Sequence, residues 1–136
     1  MDLVLLDTDA LNEVLKQKNA NVVRHAAGYL KQFGQFTISS MTRYELLRGL
    51  KEKQAAAQLS RFEVFCQHTL IIPISNDILD RATDLWVVAR QSGYPCRDAD
   101  LIIAATALET QRGLVTGNTN DFRWIPDLTV SDWRSP

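Results

Sequence analysis

Short apolar runs, each ending at a polar residue, recur along the chain. The first is Leu3-Val4-Leu5-Leu6, which stops at Asp7. Because this run does not alternate with polar residues, it is typical of a strand buried on both faces of a parallel sheet. Similar runs predict four further strands: Phe36-Thr37-Ile38, Leu70-Ile71-Ile72, Leu114-Val115 and Leu128-Thr129-Val130.

Between these runs, apolar residues recur every three to four positions, which indicates helices with one buried face. The predicted helices span residues 9–18, 21–33, 41–53, 55–67, 76–92 and 99–111. Strands that alternate with helices are joined by helical crossovers. The pattern therefore predicts an α/β fold with a mainly parallel central sheet flanked by helices on both faces.

The bulk properties favour one domain over residues 1–136. The chain contains no internal repeat and no linker rich in Pro or Gly. Cys66 and Cys96 lie far apart without a metal-binding spacing, which predicts neither a disulfide framework nor a zinc site. No segment approaches the roughly 20 apolar residues of a membrane span, and the amino terminus lacks the basic start of a signal peptide. We expect a cytoplasmic protein.

The charge distribution argues against a protein that holds nucleic acid through an all-over basic surface, since the net charge is −1. Basic residues nevertheless concentrate in the first half of the chain, where one helical stretch could meet phosphate groups. A solvated helix face is the alternative interpretation. The cations of that stretch are Arg43, Arg48, Lys51, Lys53 and Arg61.

Asp7 is the first candidate for chemistry, because it follows directly on a buried strand. A carboxylate at such a place loses hydration, and this loss costs free energy unless hydrogen bonds or a cation compensate for it. A ligand site at the strand end is one interpretation. The other is that Asp7 or Thr8 caps the following helix, as Asp, Thr and Asn commonly do.

Glu45 lies early in the third predicted helix and is the second candidate. Two interpretations are open from its neighbours. Gly49, one turn later, carries no side chain, so a ligand could approach Glu45 closely on that face of the helix. Alternatively, Thr42-Arg43-Tyr44-Glu45 fits a capping box, in which Glu45 only accepts a hydrogen bond from the Thr42 backbone.

Asp98 and Asp100 begin an apolar helix rich in alanine, Leu101-Ile102-Ile103-Ala104-Ala105. Acids are favoured at this end of a helix by its dipole, so the pair need not be functional. Asp98 suits the cap. Asp100 lies one step inside the helix, where its side chain projects back toward the helix start. We therefore favour Asp100 over Asp98 as a metal ligand.

The segment after the strand at 114–115 adds further oxygen ligands at the same edge of the sheet. Asn118 and Asp121 lie there among polar turn residues. Asp7, Glu45, Asp100 and Asp121 together offer carboxylates, with no Cys or His set beside them. Such a donor set selects a hard cation, Mg²⁺ or Mn²⁺, and a hard cation indicates phosphate chemistry.

Four segments in order resemble the PIN-domain toxins of VapC type, and the resemblance covers nearly the whole chain. By position, Asp7, Glu45 and Asp100 match that family's acidic triad, and Asp121 matches an additional acid. Position 9 departs from the family pattern, with Asp in place of the common Asn. The four segments are Leu5-Leu6-Asp7-Thr8-Asp9, Ile38-Ser39-Ser40 with Tyr44-Glu45-Leu46, Asp100 to Ala107, and Val115 to Phe122.

The resemblance implies a PIN-like fold and a metal-dependent endoribonuclease, the toxin of a toxin–antitoxin pair. It implies RNA as substrate, a small antitoxin as partner and a homodimer. Asp7, Glu45, Asp100 and Asp121 would be its catalytic and metal-binding residues. Asn118 stands where other PIN proteins carry an acid, so Asp121 or a water held by Asn118 could supply the fourth ligand. Arg43 or Arg48 would contact RNA phosphates.

Two other functions are compatible with parts of the sequence. An apolar strand followed by Asp7-Thr8-Asp9 is similar to the nucleophile motif of haloacid-dehalogenase-type phosphatases, in which Asp7 would be phosphorylated. However, Leu11 does not fit that motif, and 136 residues leave little room for the rest of such an enzyme. The second alternative is a catalytically silent PIN-like module that binds RNA or a protein.

Overall fold

The computed structural model describes residues 2–136 and contains one five-stranded sheet in which all paired strands are parallel. The order across the sheet is β3-β2-β1-β4-β5. This arrangement confirms the predicted mainly parallel sheet. The strands are β1 (Val4–Leu6), β2 (Thr37–Ser39), β3 (Leu70–Ile72), β4 (Gly113–Val115) and β5 (Val130–Ser131).

Seven helices lie within residues 2–136, and six of them match predicted helices to within two residues at each end. The seventh, α7, falls in a segment predicted as a loop. No helix of this part of the chain has the length and hydropathy needed to cross a membrane. The helices are α1 (Thr8–Lys16), α2 (Ala20–Phe33), α3 (Ser40–Glu52), α4 (Ala56–Gln67), α5 (Asn76–Ser92), α6 (Asp98–Glu109) and α7 (Thr119–Phe122).

Local capping explains several helix boundaries. The side-chain oxygens of Asn19, Ser39 and Ser75 accept hydrogen bonds from backbone N–H groups at the starts of α2, α3 and α5. Gly34 and Gly93 end α2 and α5 with φ of 84° and 74°, a left-handed conformation that glycine adopts without steric cost. Polar residues therefore mark the starts of these helices, and glycine residues mark the ends of α2 and α5.

Two apolar clusters cover the two faces of the sheet. Leu5 belongs to the cluster formed with α5 and α6, whereas its neighbour Leu6 belongs to the cluster formed with α1 and α2. Leu114 and Val115 of β4 divide between the clusters in the same way. Since successive side chains of a strand point to opposite faces, a continuous apolar run serves both cores.

The strand order places a crevice beside β1. From β1 the chain proceeds outward through β2 to β3, and then returns to the other side of β1 to form β4 and β5. Parallel α/β sheets bind ligands outside the carboxyl ends of the strands, where the strand order reverses. Asp7 follows β1 and Thr116 follows β4 at this reversal.

Candidate active site

Asp7 lies between the end of β1 and the start of α1. Its backbone N–H donates to the Val115 carbonyl at 3.0 Å, which continues the pairing of β1 with β4. Its Oδ1 accepts the Ala10 backbone N–H at 2.8 Å and caps α1. Asp7 therefore caps α1 as one interpretation predicted. Its position at the carboxyl end of β1 is also compatible with the other interpretation, a ligand site.

The Asp7 carboxyl is 5% exposed. Burial raises its pKa to about 6, although hydrogen bonds from the Thr116 hydroxyl and the Ala10 backbone oppose that rise. The nearby carboxylates of Asp9 and Asp100 add to it. The negative charge on Asp7 is therefore incompletely compensated by the surrounding protein, which is the condition in which a cation is stabilising.

Glu45 is held by a side chain of α1 and does not cap its own helix. The Thr8 hydroxyl donates to Glu45 Oε1 at 2.7 Å, and the Thr8 and Thr42 hydroxyl oxygens lie 3.3 Å apart. The cap of α3 is Ser39, whose Oγ accepts the Met41 backbone N–H. The capping-box interpretation of residues 42–45 is therefore wrong, because α3 begins three residues earlier than that motif requires.

Asp100 and Asp98 occupy different environments in the first turn of α6. Asp100 is half-buried, and burial raises the pKa of its carboxyl, with Asp121 and Glu45 adding to the effect and Arg97 opposing it. Asp98 is exposed and is the first residue of the helix. The expectation that Asp98 caps α6 is wrong, because the cap position is Arg97 and it makes no side-chain capping bond.

The segment after β4 brings Asp121 to the same edge of the sheet. Thr116 is fully buried, and its hydroxyl oxygen accepts the Asn118 backbone N–H at 3.0 Å. Asn118 is exposed and precedes α7, the short helix that carries Asp121. Asp121 is close enough to Asp100 to raise the pKa of its carboxyl. A role for the Asn118 side chain as a ligand stays a prediction.

The structure thus gathers Asp7, Glu45, Asp100 and Asp121 from four separate elements. Their charges influence one another, since Asp100 raises the pKa of Asp7, and Asp121 and Glu45 raise the pKa of Asp100. Within residues 2–136 no three acidic, His or Cys side chains form a ready-made metal shell. Like charges at this edge of the sheet repel one another, and a cation bound among them would offset that repulsion.

Three arginines predicted or found near the acids differ in position. The guanidinium of Arg48 lies 3.7 Å from Glu45 Oε2. Arg43 contacts the Cys66 thiol of α4, on the side of α3 opposite to Glu45, so the structure does not bring it to the acids. Arg97, which the sequence analysis did not single out, lies beside Asp100. Its position three residues before Asp100 in the sequence could have indicated that the two side chains lie close together.

Asp9 lies beside both Asp7 and the carboxyl-terminal tail. A side chain on Gly117 would overlap with Asp9 Oδ2 and would lie 2.8 Å from the Arg134 guanidinium. Arg134 donates to the Gly117 carbonyl at 2.8 Å and pairs with Asp132 at 3.0 Å. The tail therefore covers the loop between β4 and α7, and a side chain at Gly117 would have to displace the ends of the Asp9 and Arg134 side chains.

The donor chemistry fits a hard divalent cation. All candidate ligands offer oxygen atoms, which Mg²⁺ and Mn²⁺ prefer. The raised pKa of the buried Asp7 carboxyl shows that its negative charge has too little compensation from the chain itself. Asp7, Glu45, Asp100 and Asp121 are the residues that could hold such an ion, and Asp98 is the least suitable acid nearby because it is exposed.

Comparisons with known proteins agree with the fold. The family model of the PIN domain matches residues 4–128. Ribonuclease VapC19 of Mycobacterium tuberculosis is 30% identical over 124 residues, which cover 91% of this chain and 95% of that protein. Ribonuclease VapC2 of Rickettsia felis is 31% identical over 97 residues, which cover 71% of this chain and 72% of that protein.

Solved structures share the architecture. A chain of VapBC2 from Rickettsia felis, bound to a DNA fragment from its promoter, superposes with a TM-score of 0.86 at 24% identity, covering 96% of this chain and 98% of that chain. A chain of a toxin–antitoxin complex from Klebsiella pneumoniae gives 0.69 at 31% identity, with 93% and 95% covered.

These matches do not favour the haloacid-dehalogenase-type phosphatase, because the PIN-domain model matches β1 and nearly the whole remaining chain. The match extends across every element that carries a candidate residue, from β1 to α7. This chain belongs to the VapC branch of the PIN-domain family.

Proposed function

We propose that this protein is a divalent-metal-dependent endoribonuclease that acts as the toxin of a toxin–antitoxin pair. The observation that carries the chemistry is the buried, incompletely compensated Asp7 carboxyl beside three further acids. The curated relatives are named as ribonucleases, and several similar structures are described as complexes of toxin and antitoxin. The names of the relatives support RNA as the substrate, and the descriptions of the complexes support a small antitoxin as the partner. The homodimer is carried over from the family resemblance alone.

The four acids have different proposed roles, which follow from their positions. Asp7 and Asp100 are the proposed principal ligands of Mg²⁺ or Mn²⁺, while Glu45 and Asp121 complete the shell or orient a water molecule. When bound, the cation supplies charge that offsets the phosphodiester and lowers the pKa of a coordinated water. Thr8 fixes the Glu45 carboxylate through its 2.7 Å hydrogen bond.

Arginine side chains beside the acids are proposed to bind the phosphate groups of the RNA. Phosphate groups are repelled by four carboxylates, so nearby positive side chains favour binding of RNA. Arg48 lies beside Glu45, and Arg97 lies beside Asp100. Both side chains belong to exposed residues and can reach a phosphate. We assign the phosphate contacts to Arg48 and Arg97 and remove Arg43 from that role.

The direct test is hydrolysis by the purified protein of a fluorescent single-stranded RNA and of a generic phosphate monoester, each with MgCl₂, MnCl₂ or EDTA. We expect RNA cleavage with either cation, none with EDTA, and no turnover of the ester. Turnover of the ester alone would contradict the assignment. RNA binding without cleavage would identify the catalytically silent module.

The Thr8 hydroxyl gives a separate prediction. Thr8→Val removes the donor to Glu45 while keeping the shape of the side chain, and a hydrogen bond to a charged group contributes roughly 1.5–3 kcal/mol. We expect RNA cleavage at fixed MnCl₂ to fall on the order of tenfold. Thr8→Ser keeps the hydroxyl and should retain most activity. Equal losses in the two variants would show that packing, and not the hydrogen bond, matters here.

A further inference from the structure

An exposed aromatic ring lies next to the acids, on α3. Tyr44 is 56% exposed, the largest exposed fraction among the large apolar and aromatic residues identified as exposed. The Arg48 guanidinium carbon lies 4.9 Å from the centre of the Tyr44 ring. The same guanidinium lies 3.7 Å from Glu45 Oε2. One arginine therefore joins the exposed ring to an acid of the site.

The fold does not need the Tyr44 ring. Thr42 and Leu46 are the buried residues of α3, and Tyr44 lies on the opposite side of the helix. Within residues 2–136, the Tyr44 ring makes none of the contacts between aromatic rings that link Tyr29, Phe36 and their neighbours. Its exposure keeps an aromatic surface in water without a contribution to the core.

The surface of α3 beside Glu45 is open, and the Tyr44 ring is exposed next to it in the chain. Gly49 lies one helical turn after Glu45, and a Cβ atom at Gly49 would meet no atom within 4 Å outside its own helix. The Arg48 guanidinium lies over the Tyr44 ring, and 56% of this residue nevertheless stays exposed. A planar group could therefore reach Tyr44 while a connected phosphate approaches the acids.

We infer that Tyr44 is a stacking platform for an unpaired base of the RNA, next to the phosphodiester that is cleaved. The inference rests on the proposed ribonuclease function and specifies its substrate class as single-stranded RNA. Base stacking on aromatic side chains contributes about 1–3 kcal/mol per base and requires that the base be free of its own stack. Arg48 would then contact the Tyr44 ring and the adjoining phosphate at the same time.

A second pair in this protein serves as a matched comparison. Arg90 lies over Trp86 at 5.5 Å, with the same spacing of four residues on α5. Trp86 is 43% exposed, and α5 contributes none of the four acids. If such pairs only stabilise their helices, removing either aromatic ring should have the same small effect on catalysis.

The test compares Tyr44→Ala, Tyr44→Phe and Trp86→Ala on a fluorescein-labelled single-stranded RNA of mixed sequence, with MnCl₂. We expect Tyr44→Ala to raise KM at least about fivefold, with kcat at saturating RNA and the MnCl₂ requirement within twofold of the unmodified protein. Tyr44→Phe keeps the stacking face and should resemble the unmodified protein, as should Trp86→Ala. An unchanged KM for Tyr44→Ala would overturn the inference, and so would a fall confined to kcat.

A measurement of RNA binding tests the role of Tyr44 independently of the proposed ribonuclease activity. Fluorescence anisotropy of the same RNA with EDTA measures contact without cleavage, and Tyr44→Ala should weaken it whereas Trp86→Ala should not. If the unmodified protein cleaves no RNA, the proposed function fails, but the anisotropy comparison still decides the role of Tyr44. Equal affinities of the Tyr44→Ala and unmodified proteins would overturn that role in either case.

Discussion

Asp7→Asn is expected to reduce metal-dependent RNA cleavage by on the order of a thousandfold, because a bound cation contributes several kcal/mol through charge that the neutral amide no longer attracts. The amide keeps the size of the carboxyl and can still accept the Ala10 backbone N–H that caps α1. Single-turnover cleavage of labelled RNA in MnCl₂ measures the loss. Activity within tenfold of the unmodified protein would remove Asp7 from the centre of the mechanism.

The same substitution should stabilise the metal-free protein at neutral pH. Burial raises the Asp7 pKa from 3.8 to about 6, so the folded state binds this proton more tightly than the unfolded state. The contribution of Asp7 to stability is complete below pH 3.8 and is lost as the pH rises through about 6. That loss is roughly 3 kcal/mol, which Asn does not incur.

Urea denaturation with EDTA provides the measurement. Between pH 4 and pH 7.5, the unmodified protein should lose stability relative to Asp7→Asn, and the two should be similar near pH 4. Addition of MnCl₂ should then stabilise the unmodified protein and leave Asp7→Asn nearly unchanged. Parallel pH curves for the two proteins would show that the Asp7 carboxyl is compensated by the chain itself.

Much of the fold follows from local patterns in the sequence. The run Leu3-Val4-Leu5-Leu6 predicts a doubly buried strand because each of its faces meets a different core, as Leu5 and Leu6 do. The helix bounds follow from capping residues that act within a few positions, such as Asn19 and Gly34. Such signals involve neighbours in the chain, so they can be recognised without the tertiary structure.

Other features depend on contacts between distant segments. Thr8 and Glu45 are 37 residues apart, and only the packing of α1 against α3 shows that their side chains meet. The helix α7 has four residues, too few to display a helical period. Arg43 and Arg48 cannot be distinguished from the sequence, since both are arginines of the same basic helix. In the structure, Arg43 contacts Cys66, whereas Arg48 lies beside Glu45.

Asp100 and Asp98 allow the site to be tested within a single helix turn. Both acids lie in the first turn of α6, where each interacts favourably with the helix dipole by about 0.3–1 kcal/mol. Removing either charge loses this small dipole interaction, whereas Asp100→Asn also removes the burial cost that raises the Asp100 pKa. Only Asp100 is half-buried beside Glu45 and Asp121, whereas Asp98 is exposed.

Asp100→Asn is accordingly expected to lower RNA cleavage by at least about a hundredfold and to raise the MnCl₂ concentration needed for half-maximal activity, because it removes a proposed ligand. Asp98→Asn should stay within about threefold of the unmodified protein. Thermal unfolding of both variants controls for the shared loss of a helix-start charge. Equal loss of activity would indicate that the helix dipole or a general negative potential dominates. A loss confined to Asp98→Asn would place the metal at the helix end and not in the crevice beside β1.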